Sequence, residues 1–356
     1  MTTIKLPGLI DPHVHLREPG GTHKEDFDSG TCAALAGGFT AVLAMPNTTP
    51  PLIDDTSLAL AEAGIRVRAR CDVGVYLGAT LDNTPTAAAF APRVAGLKMY
   101  LDQTYGNLRM DGLGALMAHA RAWPAASPLV CHAEGRTAAA AILAAHLAGR
   151  AIHICHVSRR EEIELIRRAR EAGMAVTCEV CPHHLFLSED DIPTLGKGRA
   201  EVRPMLATRA DAEALRANLD VIDCFATDHA PHTRAEKDGP TAPPGYPGLE
   251  TALALNLRLV EQGLIDLDGL VARMCHNPRR IFGLPAQPET WIEVDLDAAW
   301  TARGAQMHTR AGWTPFEGWA LRGRVTRVVL RGREAYADGR VTVEPGFGRA
   351  IGWARG

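Results

Sequence analysis

Strand-like and helix-like segments alternate along most of this chain, and that alternation constrains the fold more than any other feature of the sequence. Short apolar runs are each followed by a segment with the periodicity of an amphipathic helix. Strands that alternate with helices form parallel sheets, and eight that close on one another form a (β/α)8 barrel. The sequence therefore predicts a TIM-type barrel. The eight predicted strands are residues 6–10, 39–45, 71–77, 96–101, 129–132, 151–155, 175–180 and 221–226.

The alternative to a barrel is an open, doubly wound parallel sheet. A dinucleotide-binding sheet of that kind carries a Gly-x-Gly-x-x-Gly turn after its first strand, and no such turn follows residue 10. The chain has 356 residues, of which 46% are hydrophobic, and this is enough for one barrel-sized core with an accessory piece. The barrel is the favoured interpretation.

The alternation stops near Thr290, where short strands separated by tight turns begin. We therefore expect a catalytic barrel at residues 6–285 and a small β-rich subdomain at residues 286–356, to which residues 1–5 contribute. A loop rich in proline and glycine, residues 240–248, is expected to lie over a site.

Composition argues against several classes of partner. The formal net charge of −3 gives no basic field to hold nucleic acid or an anionic membrane. Residues 1–8 lack the apolar segment of a signal peptide, and the longest apolar stretch, residues 138–148, is too short to span a bilayer. We expect a cytoplasmic protein with neither nucleic acid nor a membrane as partner. Its eight cysteines lack zinc-finger spacing, so reduced and mostly buried thiols are expected.

A pair of histidines, His13 and His15, stands at the end of the first predicted strand. Because side chains alternate between the two faces of a strand, both imidazoles point to the same side. Residues 18–21 then turn the chain into a loop. Two imidazoles on one side suit a metal ion, although such a pair alone is equally typical of an ordinary polar strand end. The interpretation depends on ligands elsewhere.

Residues of ligand type also stand at the other strand ends, where barrel enzymes place their chemistry. A single histidine there usually makes an ordinary hydrogen bond, and Asp228 alone would also suit a helix cap. Convergence on one barrel mouth favours a site for one or two divalent ions, most simply zinc, because imidazole nitrogens predominate. The residues concerned are His13, His15, Asn47, Lys98, His132, Cys155, His156, Glu179 and Asp228.

Lys98 stands inside an apolar strand. A buried ammonium is costly, so this amine is paired, deprotonated or chemically changed. A neutral amine can take up carbon dioxide to form a carbamate, whose two oxygens could bridge two metal ions. A metal pair makes water more acidic and polarises a carbonyl, and Asp228 can pass the proton to a leaving nitrogen. These residues predict metal-assisted hydrolysis of an amide or ester.

Two arginines and an amide indicate the charge of the substrate. Arg17, Asn47 and Arg203 are expected at the barrel mouth, where an arginine suits bidentate capture of a carboxylate. Arg203 taken alone would also suit a solvated loop. The sequence predicts a small anionic substrate.

Short motifs with these residues are distributed along the chain from about Leu6 to its end. They are residues 11–20 (DPHVHLREPG), 45–48 (MPNT), 96–98 (GLK), 131–134 (CHAE), 153–157 (HICHV), 177–180 (TCEV), 201–204 (EVRP), 228–232 (DHAPH), 243–250 (PPGYPGLE) and 276–282 (HNPRRIF). Together they resemble the dihydroorotases of the amidohydrolase superfamily, in particular the dihydroorotase domain of the multifunctional protein of animal pyrimidine synthesis. The resemblance implies the reversible cyclisation of N-carbamoyl-L-aspartate to L-dihydroorotate.

The resemblance also implies a set of metal ligands. Two zinc ions would be bridged by carboxylated Lys98 and by hydroxide, one ion held by His13, His15 and Asp228 and the other by His132 and His156. A third zinc is implied at Cys155 and Glu179 with His132 as an anionic bridge, although a packed thiol would equally explain Cys155.

A mobile lid is implied at residues 102–108, with Thr104 and Tyr105 at its tip. The related protein carries Phe where this chain has Tyr105, so the hydroxyl is expected to alter the equilibrium of lid closure. The resemblance assigns Arg17, Asn47 and His232 to the substrate carboxylate, and Arg203 and the backbone near Pro244 to the edges of the substrate ring.

Two other functions are compatible with the sequence. The first is that of another cyclic amidohydrolase, such as an allantoinase or hydantoinase, which shares the histidine pair and the bridging lysine. Arg17 argues against it, because those substrates carry no equivalent carboxylate. The second is a non-catalytic scaffold for aspartate transcarbamoylase, but such proteins typically lose metal ligands. A homodimer is expected, and a partnership with aspartate transcarbamoylase is compatible with catalysis.

Overall fold

The computed structural model of the protein describes residues 2–352; Met1 and residues 353–356, which belong to the predicted subdomain, lie outside the described residues. Helices alternate with parallel strands through most of the chain, which makes this an α/β protein, as predicted. The strands are β1 (Thr3–Pro7), β2 (Leu9–Val14), β3 (Phe39–Ala44), β4 (Asp72–Val75), β5 (Leu77–Gly78), β6 (Leu97–Tyr100), β7 (Leu129–His132), β8 (Ile152–Ile154), β9 (Val176–Val180), β10 (Cys224–Phe225), β11 (Trp291–Thr301), β12 (Ala320–Leu330), β13 (Arg333–Ala337) and β14 (Arg340–Val341).

Helices follow the parallel strands, and several begin at a capping side chain. Asp26, Asp54 and Thr208 each accept a hydrogen bond from the backbone N–H three residues further on, which satisfies one free donor of the first turn. The helices are α1 (Phe27–Ala36), α2 (Asp55–Arg68), α3 (Thr84–Ala87), α4 (Leu113–Ala122), α5 (Arg136–Leu147), α6 (Arg160–Glu171), α7 (Pro182–Phe186), α8 (Ile192–Leu195), α9 (Arg209–Ala217), α10 (Arg234–Lys237), α11 (Leu249–Glu261), α12 (Leu267–Val271) and α13 (Asn277–Ile281).

The parallel strands form two sheets, with the orders β2-β3-β4 and β5-β6-β7-β8-β9-β10. Every residue of β2, β3 and β6 is buried, as is typical of parallel strands covered on both faces. The sheets adjoin at both edges. Tyr76 alone separates β4 from β5, and its hydroxyl donates to the carbonyl of Pro12 at 2.8 Å. At the other edge, Val14 pairs with His229, whose carbonyl accepts from the N–H of His15 at 2.7 Å.

A third sheet is antiparallel, with the order β1-β11-β12-β13-β14. Its hairpin turns after β12 and β13 are short, and each contains a non-glycine residue with positive φ, Arg331 at 53° and Asp338 at 47°. A glycine follows each of them, also with positive φ, which suits a tight hairpin that matches the twist of its strands. The strand nearest the start of the chain therefore belongs to a sheet made mostly of the last strands.

The first predicted strand, residues 6–10, corresponds to parts of two strands. Leu6 lies in β1 and pairs with β11, and β2 begins only after Gly8. A Cβ at Gly8 would come within 2.4 Å of the Thr40 side chain, so the chain can pass this point only without a side chain. His13 consequently lies within β2 and His15 directly after it.

Two expectations drawn from composition concern membrane spans and cysteines. Across residues 2–352, no helix has both the length and the apolar character that a membrane crossing requires. All eight cysteines are free thiols, and each of them except Cys32 is buried.

A buried ion pair ties the parallel sheets to the last described segment. Asp72 in β4 is 3% exposed, and its carboxylate pairs with the Arg331 guanidinium at 2.5 Å. The same carboxylate accepts from the side chain of Gln287 at 2.8 Å and the N–H of Arg349 at 3.0 Å. Three parts of the chain far apart in sequence therefore meet at one side chain.

We predict that Asp72→Ala lowers the free energy of unfolding by about 3 kcal/mol, because it leaves the half-buried guanidinium of Arg331 without its counter-charge. Urea denaturation measures this change. Asp82→Ala, which removes an exposed carboxylate, is the control and should change the free energy of unfolding by less than about 0.5 kcal/mol. Equal midpoints for the two variants would contradict the role given to this ion pair.

Candidate active site

A cleft of about 360 Å³ opens at the carboxyl ends of the parallel strands. It collects most of the predicted site residues, although they are far apart in sequence. The lining residues are His13, His15, Arg17, Asn47, Tyr100, Thr104, Tyr105, His132, His156, Arg203, Asp228, Ala230, Pro244 and Gly245. The remaining predicted residues, Lys98, Cys155, Glu179 and His232, do not line the cleft but adjoin residues that do.

His13, His15 and Asp228 form the first cluster of the cleft. The Nε2 atoms of the two imidazoles lie 3.2 and 3.1 Å from Oδ1 of Asp228. Burial alone would raise the pKa of Asp228, but the neighbouring imidazoles of His13 and His15 hold it well below its usual range. Burial lowers the pKa of His15 to about 4, so its ring is neutral at pH 7. The carboxylate is charged and the ring beside it is not.

The other nitrogens of the two rings show why this cluster suits a cation. Nδ1 of His13 is 2.5 Å from Oε1 of Glu179, and Nδ1 of His15 is 2.8 Å from Oδ1 of Asn47. Each Nδ1 faces an acceptor and therefore carries a proton. On the neutral ring of His15, Nε2 is then left with a lone pair directed at the Asp228 carboxylate. Three electron-rich atoms at hydrogen-bond distance fit a positive ion between them.

A second group of ligand type lies deeper. His13, Cys155 and Glu179 each offer an atom within 4.8 Å of the others. Glu179 also faces His153, 3.2 Å from its Nε2. Burial alone would raise the pKa of Glu179, but the charge and hydrogen bond of His13 lower it well below its usual range. The group contains His13, whereas the implied third zinc site joins Cys155 and Glu179 to His132.

His132 and His156 form the third group. Nδ1 of His132 lies 2.8 Å from Nε2 of His156. Nδ1 of His156 is buried with no hydrogen-bond partner among the described residues, and Nε2 of His132 has only Oε1 of Glu134 nearby, at 3.6 Å and so beyond hydrogen-bond distance. Burial lowers the pKa of both rings. Buried polar atoms without partners are rare in folded proteins. A metal ion is a ligand that would satisfy both nitrogens.

Lys98 is completely buried on β6, as its position in an apolar strand predicts. Its Nζ donates to Sγ of Cys155 at 2.8 Å and lies 5.3 Å from the centre of the Tyr100 ring. Burial raises the pKa of the Cys155 thiol well above its usual range, although Lys98 opposes the shift. The amine therefore contacts a neutral thiol.

Asp11 positions the first cluster, and the sequence interpretation missed it. Its Oδ1 accepts from the N–H of His13 at 3.0 Å and from the N–H of Thr227 at 3.2 Å, and its Oδ2 accepts from the Thr227 hydroxyl at 2.5 Å. Burial raises its pKa to about 7. The side chain connects the strand that carries the histidines to the segment that leads to Asp228. The Asp-x-His spacing was the available signal.

Three site residues adopt left-handed backbone conformations, namely Arg17 at φ 60°, His156 at 35° and Asp228 at 46°. This region is uncommon for residues other than glycine. Such strain persists where the surrounding structure fixes the residue, and it is concentrated at functional sites. Asp228 and His156 belong to the candidate metal ligands, whereas Arg17 faces the outer part of the cleft.

Arg17 and His232 form a cationic wall on one side of the cleft. Nε of Arg17 donates to the carbonyl of Pro231 at 3.0 Å, and one of its terminal nitrogens lies 2.9 Å from Nε2 of His232. Burial lowers the pKa of Arg17 to about 10, so the guanidinium is still charged at pH 7. Burial and the charges of Arg17 and Lys24 lower the pKa of His232 far below its usual range. The wall is positive, and its imidazole is neutral.

The predicted lid tip contacts this wall. The side-chain amide of Asn47 donates to the carbonyl of Tyr105 at 2.9 Å, and the Tyr105 ring packs edge-on against His232, with centroids 5.2 Å apart. The Tyr105 hydroxyl accepts from Lys24, a residue that the sequence interpretation did not single out. Arg203 lines the cleft, where its guanidinium binds Glu201 and the carbonyl of Val202.

The sequence of this chain is similar to those of proteins whose family is known. A family model described as Dihydro-orotase-like matches residues 2–106. The chain is 55% identical over 348 residues to the multifunctional protein CAD of Squalus acanthias, covering 98% of this chain but 16% of that protein. It is 37% identical over 365 residues to the dihydroorotase of Pyrococcus abyssi, covering 96% of this chain and 86% of the relative. The chain thus spans about a sixth of the length of the multifunctional relative.

Two solved structures have the same fold. An L-hydantoinase (dihydropyrimidinase) from Arthrobacter aurescens superposes with a TM-score of 0.93 at 24% identity, covering 98% of this chain and 89% of the other. An inactive dihydroorotase-like domain of a Chaetomium thermophilum CAD-like multifunctional protein superposes with a TM-score of 0.84 at 30% identity, covering 98% and 99%.

The fold is that of the amidohydrolases related to hydantoinases, and its cleft holds residues suited to a metal ion. Within that class, the family is decided by the 37% identity to the Pyrococcus abyssi dihydroorotase over 96% of this chain. The chain belongs to the dihydroorotase family.

We predict that Asp228→Asn binds less divalent metal than the unsubstituted protein, because the amide removes the negative charge that both Nε2 atoms face. Zinc analysis after dialysis measures the stoichiometry. A thermal melt should also lose the stabilisation that zinc gives the unsubstituted protein. Asp82→Asn is the control, and an equal zinc content in both variants would contradict the assignment.

Proposed function

We propose that this chain interconverts N-carbamoyl-L-aspartate and L-dihydroorotate in pyrimidine synthesis. The observation that carries the proposal is the meeting, in one cleft, of a metal-suited cluster at His13, His15 and Asp228 with a positive wall at Arg17. Metal-assisted amide hydrolysis requires the metal-suited cluster, and binding of a substrate carboxylate requires the positive wall. The Pyrococcus abyssi relative is named a dihydroorotase, which agrees with this pairing.

The proposed metal is zinc, with two ions held by the two groups of histidines. His13, His15 and Asp228 would hold one ion, and His132 and His156 the other. As a carbamate, Lys98 would provide a ligand to each of the two ions. Its complete burial beside neutral Cys155 favours the carbamate. A third ion at Cys155 and Glu179 is part of the same proposal. The unpartnered nitrogens of His132 and His156 are the strongest support for ligation there.

Divalent ions bound there would supply Lewis acidity, which makes water more acidic and a carbonyl more electrophilic. Side chains carry out the proton transfers of the reaction. In ring opening, the oxygen of water bonds to the ring carbonyl carbon and the carbon–nitrogen bond breaks. The Asp228 carboxylate, which is charged at pH 7, accepts the proton of water and gives it to the leaving nitrogen. Cyclisation reverses each transfer.

The cationic wall would hold the substrate carboxylate. Arg17, Asn47 and His232 are proposed as its contacts, and Arg203 with the backbone of Pro244 as the contacts of the ring. All but His232 line the cleft, and His232 adjoins it through Arg17. Thr104 and Tyr105 would close over the bound substrate, which excludes water that would otherwise compete.

Two architectural expectations belong to the same proposal. The two parallel sheets would form one (β/α)8 barrel, which their adjoining edges at Tyr76 and at His229 support. The catalytic unit would occupy residues 6–285 and the β-rich subdomain residues 286–356 together with residues 1–5. We also propose a cytoplasmic homodimer and, from the identity to multifunctional CAD, an association with aspartate transcarbamoylase.

A scaffold without catalysis is the second candidate, favoured by the likeness to the inactive Chaetomium thermophilum domain. A domain that is 30% identical to this chain is therefore inactive, so similarity at this level does not establish activity. The cleft of this chain nevertheless retains two complete histidine pairs and a charged carboxylate. These favour an active enzyme.

The proposal is tested by incubating zinc-loaded protein with each of the two metabolites from acidic to alkaline pH. Cyclisation consumes one proton, so the equilibrium ratio of dihydroorotate to carbamoyl aspartate should fall about tenfold for each pH unit above the pKa of the closing carboxyl group. Chromatography of both compounds measures the ratio. Protein with confirmed zinc and no turnover in either direction would exclude the proposal and favour the scaffold.

We further predict that Arg17→Ala loses most turnover of dihydroorotate, by about a hundredfold in kcat/KM, while it retains its zinc. The loss reflects the missing partner of the substrate carboxylate. Arg340→Ala, which changes an exposed arginine of β14, should keep normal kinetics. Unchanged turnover in Arg17→Ala would remove the carboxylate contact from the proposal, and loss of zinc would show that the substitution disturbs the metal cluster.

A further inference from the structure

Lys24 is buried beneath the lid, although it precedes the first helix of the chain and belongs to none of the predicted site residues. It is 6% exposed. Its Nζ lies 3.1 Å from Nδ1 of His232, 3.2 Å from the Tyr105 hydroxyl and 3.0 Å from Oε1 of Glu236. One ammonium therefore contacts the cationic wall, the lid tip and a counter-charge.

These contacts determine where His232 carries its proton. An ammonium group has donors and no acceptor, so Nδ1 of His232 accepts from Lys24 in the tautomer that also lets Nε2 donate to the carbonyl of Pro244. The opposite tautomer would satisfy only the contact with Arg17. The ring is neutral because burial and neighbouring positive charges lower its pKa. Its single proton is consequently on Nε2, which faces the carbonyl of Pro244 at 3.0 Å and donates to it. Pro244 belongs to the proline-rich loop over the cleft.

The position of that proton decides what Arg17 can bind. A terminal nitrogen of Arg17 lies 2.9 Å from the same Nε2, and a guanidinium has no acceptor. With Nε2 protonated, Arg17 cannot donate to the ring, and its terminal N–H groups stay available for an anion in the cleft. With the proton on Nδ1, Nε2 would accept from Arg17 and compete with that anion.

The same ammonium acts on the lid. The Tyr105 hydroxyl accepts from Nζ, and the ammonium lies 4.9 Å from the centre of the Tyr105 ring. The guanidinium of Arg17 lies 5.3 Å from that centre. Attraction between a cation and an aromatic face adds to the hydrogen bond in holding the lid tip down. A Phe at this position would keep the ring contacts and lose the hydroxyl contact.

We propose that Lys24 is a positioning residue that holds His232 in the Nε2–H tautomer, thereby keeping Arg17 free for the substrate carboxylate, and that it fastens the closed lid through the Tyr105 hydroxyl. The choice of dihydroorotate as substrate rests on the proposed function. The tautomer does not, because it is a property of the chain in the absence of any substrate.

The first test is the tautomer of His232 in the zinc-loaded protein with isotope-labelled histidine. The chemical shifts of the two ring nitrogens distinguish a protonated nitrogen from an unprotonated one, and the spectrum of His232→Gln identifies the signal. We expect Nε2 to carry the proton. A proton on Nδ1 in the unsubstituted protein would overturn the proposal, and this result requires no variant to fold.

The second test compares Lys24→Met with Tyr105→Phe and with Lys197→Met, an exposed lysine that serves as the control. Lys24→Met should increase the population with the proton on Nδ1 and raise KM for dihydroorotate about tenfold, with a smaller change in kcat. Tyr105→Phe should leave the tautomer unchanged and raise KM less, because only the lid contact is lost. Lys197→Met should change neither.

Each outcome has one meaning. A Lys24→Met protein with the tautomer and KM of the unsubstituted protein would overturn the role of Lys24. A Tyr105→Phe protein with unchanged KM would overturn the fastening of the lid. Absence of dihydroorotate turnover in the unsubstituted protein would refute the proposed function, whereas the tautomer measurement would still decide whether Lys24 sets the proton of His232.

Discussion

The contact between imidazole nitrogens and a buried carboxylate at the strand ends is the interaction on which the site depends. Asp228 faces the Nε2 atoms of His13 and His15, and the other nitrogens of those rings are fixed by Glu179 and Asn47. Lone pairs and a negative charge at such distances repel one another unless a cation lies between them. Strand register, left-handed backbone and the Asp11 hydrogen bonds therefore hold three candidate ligand atoms in an arrangement that suits a bound cation.

Sequence patterns predicted the parts of this site that are local. Strand ends could be located from apolar runs, and the residues that follow those runs, such as Lys98 and His132, are in the expected elements. Helix α11, in which nine of the thirteen residues are buried, was not among the predicted elements. Lys24 was also missed. Its importance comes from contacts with residues more than eighty positions away, which no local pattern records.

The fold by itself does not select the substrate. An L-hydantoinase has nearly the same backbone arrangement as this chain at 24% identity. The difference must therefore lie in side chains that face the outer cleft, and in this chain those are cationic. Burial, together with the charges of Arg17, Lys24 and Lys237, lowers the pKa of His232 and keeps its imidazole neutral within a positive wall. In the proposed function, binding of an anion and metal-assisted chemistry would thus occupy opposite sides of one small cleft.

The antiparallel sheet has a consequence for how the chain acquires its structure. β1 is completed only when Thr3 pairs with Asp295, and β2 gains its outer neighbour only when Val14 meets His229. During synthesis each of these strands therefore has one edge without hydrogen-bond partners until residues more than two hundred positions later have been made. Contacts of such long range slow folding and leave unpaired edges exposed to other chains. Strands β1 and β2 therefore stay incompletely paired until much later parts of the chain have been made.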